Sequence, residues 1–219
     1  MEKKDLLKDV IKHIDIKSYN STELVDAMRN MSFTSRDTAR AADILMMMCK
    51  EKECTNILTL AGSTSAAGCM QVYVDMVRNK MIDVVVATGA SIIDMDLFEA
   101  LGFKHYIGEK ENVIPDTTLR DLYIDRIYDT YIDEEELQAC DHTTFKIANM
   151  LEARPYSSRE FIYEIGKWLH EGNAVKKDSL IQTCYECGVP IFVPAFSDSS
   201  AGFGIGKHQW ERMQKGEKY

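Results

Sequence analysis

The chain has 219 residues, of which 45% are hydrophobic and 28% are charged, a composition typical of a globular protein with one sizeable domain. The formal net charge of −9 argues against general nucleic-acid binding, which needs clustered lysine and arginine side chains. No apolar run approaches the ~18 residues that a membrane span needs, and the charged residues 1–5 are unlike a signal peptide, so we predict a cytoplasmic protein with no membrane association.

The first 52 residues are predicted to form an N-terminal helical extension. Apolar and polar residues alternate at helical spacing over residues 5–14. Residues 20–23 place short polar side chains where they can cap a second helix. Residues 34–37 have the capping-box pattern and predict a third helix that runs to Met48.

Residues 53–205 are predicted to form an α/β core. Residues 55–61 form a short apolar run rich in strand formers, and residues 82–88 form a second, continuous apolar run of the kind buried on both faces of a parallel sheet. Each run leads through a turn of small residues into a predicted helix, the first of which covers about 69–79. This alternation predicts a Rossmann-like, doubly wound, mostly parallel sheet with helices on both faces.

The later part of the chain is predicted to continue the same domain. A charged insertion over residues 108–133 contains a predicted helix over 119–131. The acidic run that starts at Asp133 and the capping pattern that starts at Ser157 predict the beginnings of two more helices. The remaining predicted elements are a helix over 177–187, a strand over 189–195 and a tail over 206–219. We therefore predict one domain over 1–219.

Six cysteines lie scattered through periodic apolar segments, and we predict buried, reduced thiols. Cys184 and Cys187 have the C-x-x-C spacing of redox and zinc sites. Because no second cysteine or histidine pair stands at ligand spacing, no metal site is predicted.

Three turns of small residues carry the functional signal: the first turn (62–68), the second turn (88–91) and the third turn (197–204). Ligands bind open α/β sheets beyond the carboxyl ends of the strands, and small side chains let backbone N–H groups approach a phosphate or ribose closely. Asp94 and Asp96 follow the second turn. The residues alone indicate a nucleotide-binding α/β enzyme with a cationic ligand, or an interaction domain on the same fold, because no turn is a G-x-G-x-x-G or Walker loop.

At these turns the sequence resembles deoxyhypusine synthase and its bacterial and archaeal relatives. The matching stretches are GSTSAAG, MIDVVVATGASIIDMDL, PYSSREF and VPIFVPAFSDSSAGFG, which fall in order from about Ser21 onward. The resemblance implies a homotetrameric enzyme with a Rossmann-like domain and active sites between paired subunits.

The resemblance also implies a transferase reaction. The family oxidises spermidine with NAD and transfers the aminobutyl group, through an imine on an enzyme lysine, to an acceptor amine. The acceptor is a lysine of the precursor of translation initiation factor 5A, or putrescine in homospermidine-forming relatives. The implied cofactor is NAD and the implied substrate is a polyamine.

By resemblance, two sets of residues are expected to line the site. The expected NAD-binding residues are Gly62, Ser63, Thr64, Ser65, Ala66, Thr88, Gly89, Ala90 and Asp198. Asp94 and Asp96 are the expected polyamine-binding residues, since they stand where the eukaryotic enzymes have two adjacent glutamates.

Two departures from the family pattern bear on function. Phe203 stands where the eukaryotic pattern has an aspartate that holds spermidine, which favours a bacterial-type relative acting on another amine. No lysine here matches the catalytic motif, which would lie beyond Tyr219. The chain is thus expected to be inactive alone, as a fragment, a split-gene subunit that needs a complementary C-terminal chain, or a truncated paralogue. The alternative function is that of a non-catalytic subunit that assembles with a complete partner.

Overall fold

The computed structural model describes residues 1–109 and 114–219. In chain order its helices and strands are α1 (Lys3–Leu6), α2 (Thr22–Met28), α3 (Phe33–Lys50), β1 (Ile57–Leu60), α4 (Met70–Arg78), β2 (Val84–Ala87), α5 (Phe98–Ala100), β3 (Tyr106–Ile107), α6 (Asp116–Asp121), β4 (Ile124–Ile127), β5 (Thr130–Asp133), α7 (Glu134–Met150), α8 (Ser158–Trp168), α9 (Leu180–Cys187), β6 (Ile191–Phe192) and α10 (Ala201–Gln214). A 3₁₀ turn covers Ile16–Ser18, and π-helical segments cover Ser65–Cys69, Ala90–Leu97 and Leu169–Asn173.

A parallel sheet forms the centre of the molecule and confirms the predicted fold class. Its strand order is β1-β2-β6, with Leu58 opposite Val85 and Val85 opposite Ile191. Val85 is fully buried, as its place in the middle strand requires. The helix α4 connects β1 to β2, so the predicted strand–helix–strand unit is present.

Helices cover this sheet and complete the main core. Buried side chains of α4, α8, α9 and the Ala90–Leu97 segment pack with those of the strands. The helices α8 and α9 approach each other closely, because a Cβ built on Gly166 would lie 2.7 Å from the Cβ of Tyr185. Core and turns are therefore held by one continuous apolar cluster.

A second, antiparallel sheet corrects the prediction for residues 119–131. This segment is not one helix: α6 ends at Asp121, and β4 and β5 form a hairpin. The hairpin joins β3 in a three-stranded sheet with the strand order β3-β5-β4. Tyr128 takes a left-handed φ of 55° at the hairpin turn, and Ile127 pairs with Thr130. Aromatic and β-branched residues favour strands here over helix. Of the predicted insertion over 108–133, residues 110–113 lie outside the described residues.

The N-terminal region also differs from its prediction. Only α1 is helical within residues 3–14, and residues 9–14, the N-terminal arm, run extended beside β3. Val10 forms an isolated antiparallel bridge with Tyr106. Helical spacing in this segment was misleading, because its backbone bonds are made to a distant strand. The helices predicted to begin at 20–23 and at 34–37 are confirmed as α2 and α3, but the predicted capping box at 34–37 was wrong, because α3 already begins at Phe33 and its N-cap residue Ser32 makes no side-chain cap bond.

Two predicted helix starts are confirmed by their capping hydrogen bonds. Asp133 caps α7 by accepting from the backbone N–H groups of Glu135 and Glu136. Ser157 and Glu160 form the predicted capping box of α8.

The cysteines are free thiols, but they are not all buried. Cys140 and Cys184 are buried, whereas Cys49 and Cys187 are exposed. The prediction of buried thiols was therefore correct for the core positions and wrong for the two surface positions.

Candidate functional site

The three turns meet at the carboxyl edge of the parallel sheet. The hydroxyl of Ser91 in the second turn donates to the backbone oxygen of Gly62 in the first turn at 2.9 Å. A Cβ built on Gly89 would lie 2.6 Å from the Cβ of Ser199 in the third turn. Segments that are distant in sequence therefore form one surface, as expected when parallel strands end at the same edge.

The first turn is open at its start and buried at its end. Gly62 and Thr64 are exposed, and Ser63 is half-buried. Ser65 and Ala66 are buried. Gly62 has a φ of +68°, and a Cβ built on it would meet no atom within 4 Å. The space in front of Gly62 is therefore available to a ligand.

Ser65 has a hydroxyl that the protein leaves unsatisfied. The residue is 3% exposed, and its Oγ has no hydrogen-bond partner within the described part of the chain. A buried hydroxyl without a partner costs about 1–3 kcal/mol. A polar ligand atom at the first turn would remove this cost, so the first turn fits the ribose or phosphate of a dinucleotide.

The second turn is packed against the rest of the site. Thr88 is exposed, and its Oγ1 lies 3.0 Å from the Oγ of Ser91. Ala90 is half-buried, but Gly89 is buried against Ser199. The small size of Gly89 is thus required by the packing of the protein itself, in addition to any approach of a ligand.

The third turn presents Asp198 to solvent. Its backbone N–H donates to the oxygen of Ala195 at 3.0 Å, while the residue as a whole is exposed. The hydroxyl of Ser199 donates to the oxygen of Phe196 at 2.9 Å and holds the adjacent backbone in place. Asp198 is therefore an accessible carboxylate on a fixed turn at the sheet edge.

Asp94 shares its surroundings with a second carboxylate, that of Asp141. The Oδ1 atom of Asp94 accepts from the N–H of Ser200 at 3.2 Å and from the Ser200 hydroxyl. Burial raises the pKa of Asp94, although the bonds from Ser200 oppose the rise. Burial and the negative charge of Asp94 raise the pKa of Asp141 to about 6, against a lowering contact with Ser200. The Ser200 hydroxyl bonds to Asp94, whereas Oδ1 of Asp141 has no hydrogen-bond partner within the described residues, so the pair of carboxylates favours an added positive charge.

Asp96 lies away from this pair. It is 1% exposed, and its two carboxylate oxygens accept from the backbone N–H groups of Leu180 and Ile181 at 2.8 and 2.7 Å. Burial raises the pKa of Asp96 to about 6, even though both N–H groups favour the charged form. Asp96 caps α9 and holds that helix to the π-helical segment.

Asp141 was missed by the sequence reasoning. It lies inside α7, one residue after the buried Cys140, and nothing in its local pattern distinguishes it from an ordinary helix residue. Its proximity to Asp94 arises because α7 packs against the Ala90–Leu97 segment, where the Sγ of Cys140 lies 3.6 Å from the backbone oxygen of Ile93.

A groove of 740 Å³ lies behind the third turn. It runs between the end of α7, the start of α8 and α10, and it includes Ser197 and Gly202. Among the described residues, none of those in the first and second turns lines this groove, so it is separate from the surface that those two turns form. Arg154 and Arg212 line it with positive charge and Glu152 with negative charge, while burial and the charge of Arg212 lower the pKa of His208.

Two further observations concern the described residues as a whole. Within residues 1–109 and 114–219, no three histidine, cysteine or acidic side chains are grouped as metal ligands. No helix in the same ranges is long and apolar enough to cross a membrane.

Comparison with known proteins gives consistent results. Residues 23–218 match the family described as deoxyhypusine synthase. A deoxyhypusine synthase-like protein of Caulobacter vibrioides is 65% identical over 218 residues, which cover 100% of this chain and 59% of the relative. A protein of the same description from Coxiella burnetii is 59% identical over 207 residues, covering 94% of this chain and 58% of the relative.

A solved structure supports the fold. The crystal structure of an Entamoeba histolytica protein assigned as a deoxyhypusine synthase matches with a TM-score of 0.60 at 20% sequence identity. The match covers 90% of this chain and 66% of the other. The chain spans about three fifths of the length of the Caulobacter and Coxiella relatives.

Proposed function

Because the chain belongs to the deoxyhypusine synthase family, we propose that it carries the dinucleotide-binding part of an NAD-dependent enzyme that transfers an aminobutyl group from spermidine or a related polyamine to an acceptor amine. The observation that carries this proposal is the meeting of three small-residue turns at one sheet edge, beside the carboxylates of Asp94 and Asp141. The acceptor is a lysine of the translation initiation factor 5A precursor or a small amine.

The first and second turns would hold the cofactor. Backbone groups near Gly62 are open, and the buried hydroxyl of Ser65 offers an unsatisfied polar atom. Thr88 is an exposed hydroxyl on the same surface, and Asp198 supplies an acceptor for ribose hydroxyls. NAD, when bound, would accept hydride from the carbon beside the polyamine nitrogen and return it later. The residues of this chain bind and orient it.

The carboxylates would hold the polyamine. Burial, with a smaller contribution from the negative charge of Asp94, raises the pKa of Asp141 to about 6, and an ammonium group near Asp94 would offset the contribution of the charge. Asp96 was also expected to bind the polyamine, but both its oxygens already cap α9. We therefore assign the cationic end of the substrate to Asp94, with Asp141 beside it.

The reaction would need a lysine that residues 1–219 do not supply. No lysine among them matches the family's catalytic motif, so we propose that a further C-terminal segment or a partner chain supplies the lysine. The helix α10 offers a surface for such a partner, because it carries large apolar residues that are exposed to solvent. The exposed fractions are 78% for Phe203, 59% for Trp210 and 54% for Met213. The same surface favours the second candidate function, a non-catalytic subunit of a mixed oligomer.

Calorimetry with NAD tests the cofactor site. Asp198→Ala is expected to weaken NAD binding by about 1.5–3 kcal/mol if the lost bond is charge-assisted. Asp121→Ala is the control, since Asp121 is also an exposed carboxylate and lies on α6, away from the three turns. Equal NAD affinity in wild type and Asp198→Ala would show that the cofactor has been placed wrongly.

An activity assay tests whether aminobutyl transfer by this chain needs the family's lysine segment. Labelled spermidine, NAD and an acceptor are incubated with this chain alone and with a chain that contains the family's lysine segment. We expect transferred label only in the mixture. Turnover by this chain alone would contradict the need for a partner, and no transfer in either assay would contradict the proposed reaction.

A further inference from the structure

The N-terminal arm joins the antiparallel sheet to the first turn. At one end, the N–H of Ile107 donates to the oxygen of Asp9 at 2.7 Å, and the N–H of Ile11 donates to the oxygen of His105 at 2.9 Å. At the other end, the N–H of Ile14 donates to the oxygen of Gly68 at 2.9 Å. The arm is thus bonded to the last residue of the first turn.

The contact at Gly68 is a close approach of two backbones. Gly68 has a φ of +90°, and a Cβ built on it would lie 2.9 Å from the backbone oxygen of Lys12. A side chain at this position would be strained by its φ and would also collide with the arm. The end of the first turn therefore has its present shape only while the arm is in place.

His13 adds a second bond to the same place. Its Nε2 lies 2.6 Å from Oε2 of Glu99, and the backbone N–H of Met70 donates to its Nδ1 at 3.2 Å. Met70 is the first residue of α4, and Cys69 in the N-cap position provides no side-chain bond. His13 thus supplies, from a distant part of the chain, the acceptor that a capping side chain usually gives to a helix start.

Glu99 fixes the orientation of the His13 ring. It is 8% exposed and also accepts from Nδ1 of His105 at 2.8 Å and from the Lys176 ammonium. Burial opposes its ionisation, but the bonds from His105 and His13 and the charge of Lys176 hold the pKa of Glu99 well below its ordinary value. An ionised carboxylate only accepts, so His13 carries its hydrogen on Nε2 and presents a bare Nδ1 to Met70.

We infer that His13 is a positioning residue that sets the first turn for cofactor binding, by holding the N–H of Met70 while anchored to Glu99. This inference rests on the proposed function, in which the first turn binds NAD. Preorganised backbone groups bind a ligand without a further ordering cost. Losing this one bond would loosen the turn and weaken NAD binding about 5- to 10-fold, as expected for one hydrogen bond.

Two substitutions separate the two bonds of the ring. The side-chain amide of asparagine occupies the place of Nδ1, so His13→Asn keeps an acceptor near Met70 and loses the contact with Glu99. The amide of glutamine reaches the place of Nε2, so His13→Gln keeps the contact with Glu99 and loses the acceptor for Met70. We expect exchange of the Met70 amide hydrogen to be about 5- to 10-fold faster in His13→Gln and about as slow as wild type in His13→Asn.

Lys17→Gln is the control for the arm as a whole. Lys17 anchors the chain just after the arm through Asp75 of α4 at 2.7 Å, without touching His13. Its loss should leave Met70 exchange and NAD affinity unchanged. Urea unfolding of every variant identifies any substitution that acts through global stability, and Met70 exchange is then compared at equal free energy of unfolding.

NAD titration of the same variants completes the test. We expect His13→Gln to bind NAD about 5- to 10-fold more weakly and His13→Asn to bind like wild type. Equal Met70 exchange in the two variants would overturn the inference, and so would equal NAD affinity alongside unequal exchange. If wild type binds no NAD, the proposed function fails, and the exchange pattern alone decides whether His13 holds the turn.

Discussion

The first and second turns use small residues for different reasons. A Cβ on Gly62 in the first turn would meet empty space, so glycine is needed there for its φ of +68°. Gly89 in the second turn has an ordinary helical backbone, with φ −57°. Glycine is needed there because Ser199 occupies the place of a side chain. A glycine at a strand end can therefore mark either an unusual backbone or a crowded one, and only the second is sensitive to the size of a replacement.

Gly89→Val should break the crowded turn and give the largest effect. Valine would drive Cβ and two methyl groups into Ser199 and toward the oxygen of Phe196, and we expect a loss of about 3 kcal/mol or more in the free energy of unfolding. Urea unfolding measures it. An unchanged urea midpoint would mean that the second and third turns are not packed together.

Asp96→Ala should show that the two carboxylates after the second turn have different roles. Without Asp96, two buried N–H groups at the start of α9 lose their acceptors, and we expect a loss of about 2–3 kcal/mol in the free energy of unfolding. Asp94→Ala is the matched variant and should cost less than about 1 kcal/mol, because Asp94 is only partly buried. Equal losses in the two variants would contradict the structural role of Asp96.

Asp141→Asn should change the pH dependence of stability. The pKa of Asp141 is raised to about 6 in the folded protein, against about 3.9 in an unfolded chain. Asp141 therefore binds its proton more tightly in the folded state than in the unfolded state. The stability that this difference contributes is fully present below about pH 4 and is lost as the pH rises through 6. In wild type, Asp141 should lower the free energy of unfolding by about 1–2 kcal/mol as the pH rises from 4 to 6, after allowance for its partial exposure, and we expect Asp141→Asn to lack this decrease.

The quantity to measure is the difference in free energy of unfolding between wild type and Asp141→Asn. Other carboxylates also contribute to the pH dependence, because burial raises the pKa of Asp96 to about 6 and helps to raise that of Asp125 to about 7. Free energies of unfolding from urea titrations at pH 4, 5, 6 and 7 give both curves. Parallel curves would show that Asp141 keeps an ordinary pKa in the folded protein.

Gly62→Ala should give the smallest effect. The added methyl group meets no atom, so only the left-handed backbone conformation is penalised, at about 1 kcal/mol. Gly89→Ala provides the comparison at equal side-chain size, and its Cβ would lie 2.6 Å from Ser199. If the two alanine variants unfold at the same urea concentration, strain and crowding do not distinguish the turns.

The parallel sheet could be predicted because its signals are local. The run that became the middle strand β2 is apolar throughout, as expected for a strand covered on both faces, whereas the edge strand β1 leaves Ile57 exposed. Caps such as Ser157 act on residues within the same turn of helix. The meeting of the turns could be predicted from the parallel sheet, since the carboxyl ends of its strands lie at one edge.

The elements that were missed depend on distant partners. The hairpin of β4 and β5 turns at Tyr128 and Asp129 without a glycine or asparagine, so the usual turn signal was absent, although its Ile, Thr and Tyr content favoured strands. The N-terminal arm has helical spacing, but its N–H groups pair with β3 and the first turn. Asp141 approaches Asp94 only through the packing of α7 on the Ala90–Leu97 segment.

The position of the arm has a consequence for biosynthesis. His13 leaves the ribosome 92 residues before His105, and the chain grows by about 5–20 residues per second, so the arm waits about 5–20 s for its partners. During that time the segment over residues 9–14 has no strand to pair with, and its isoleucines are open to chaperones and proteases. The first turn, though completed by residue 68, reaches its final shape only after Glu99 and His105 have been synthesised.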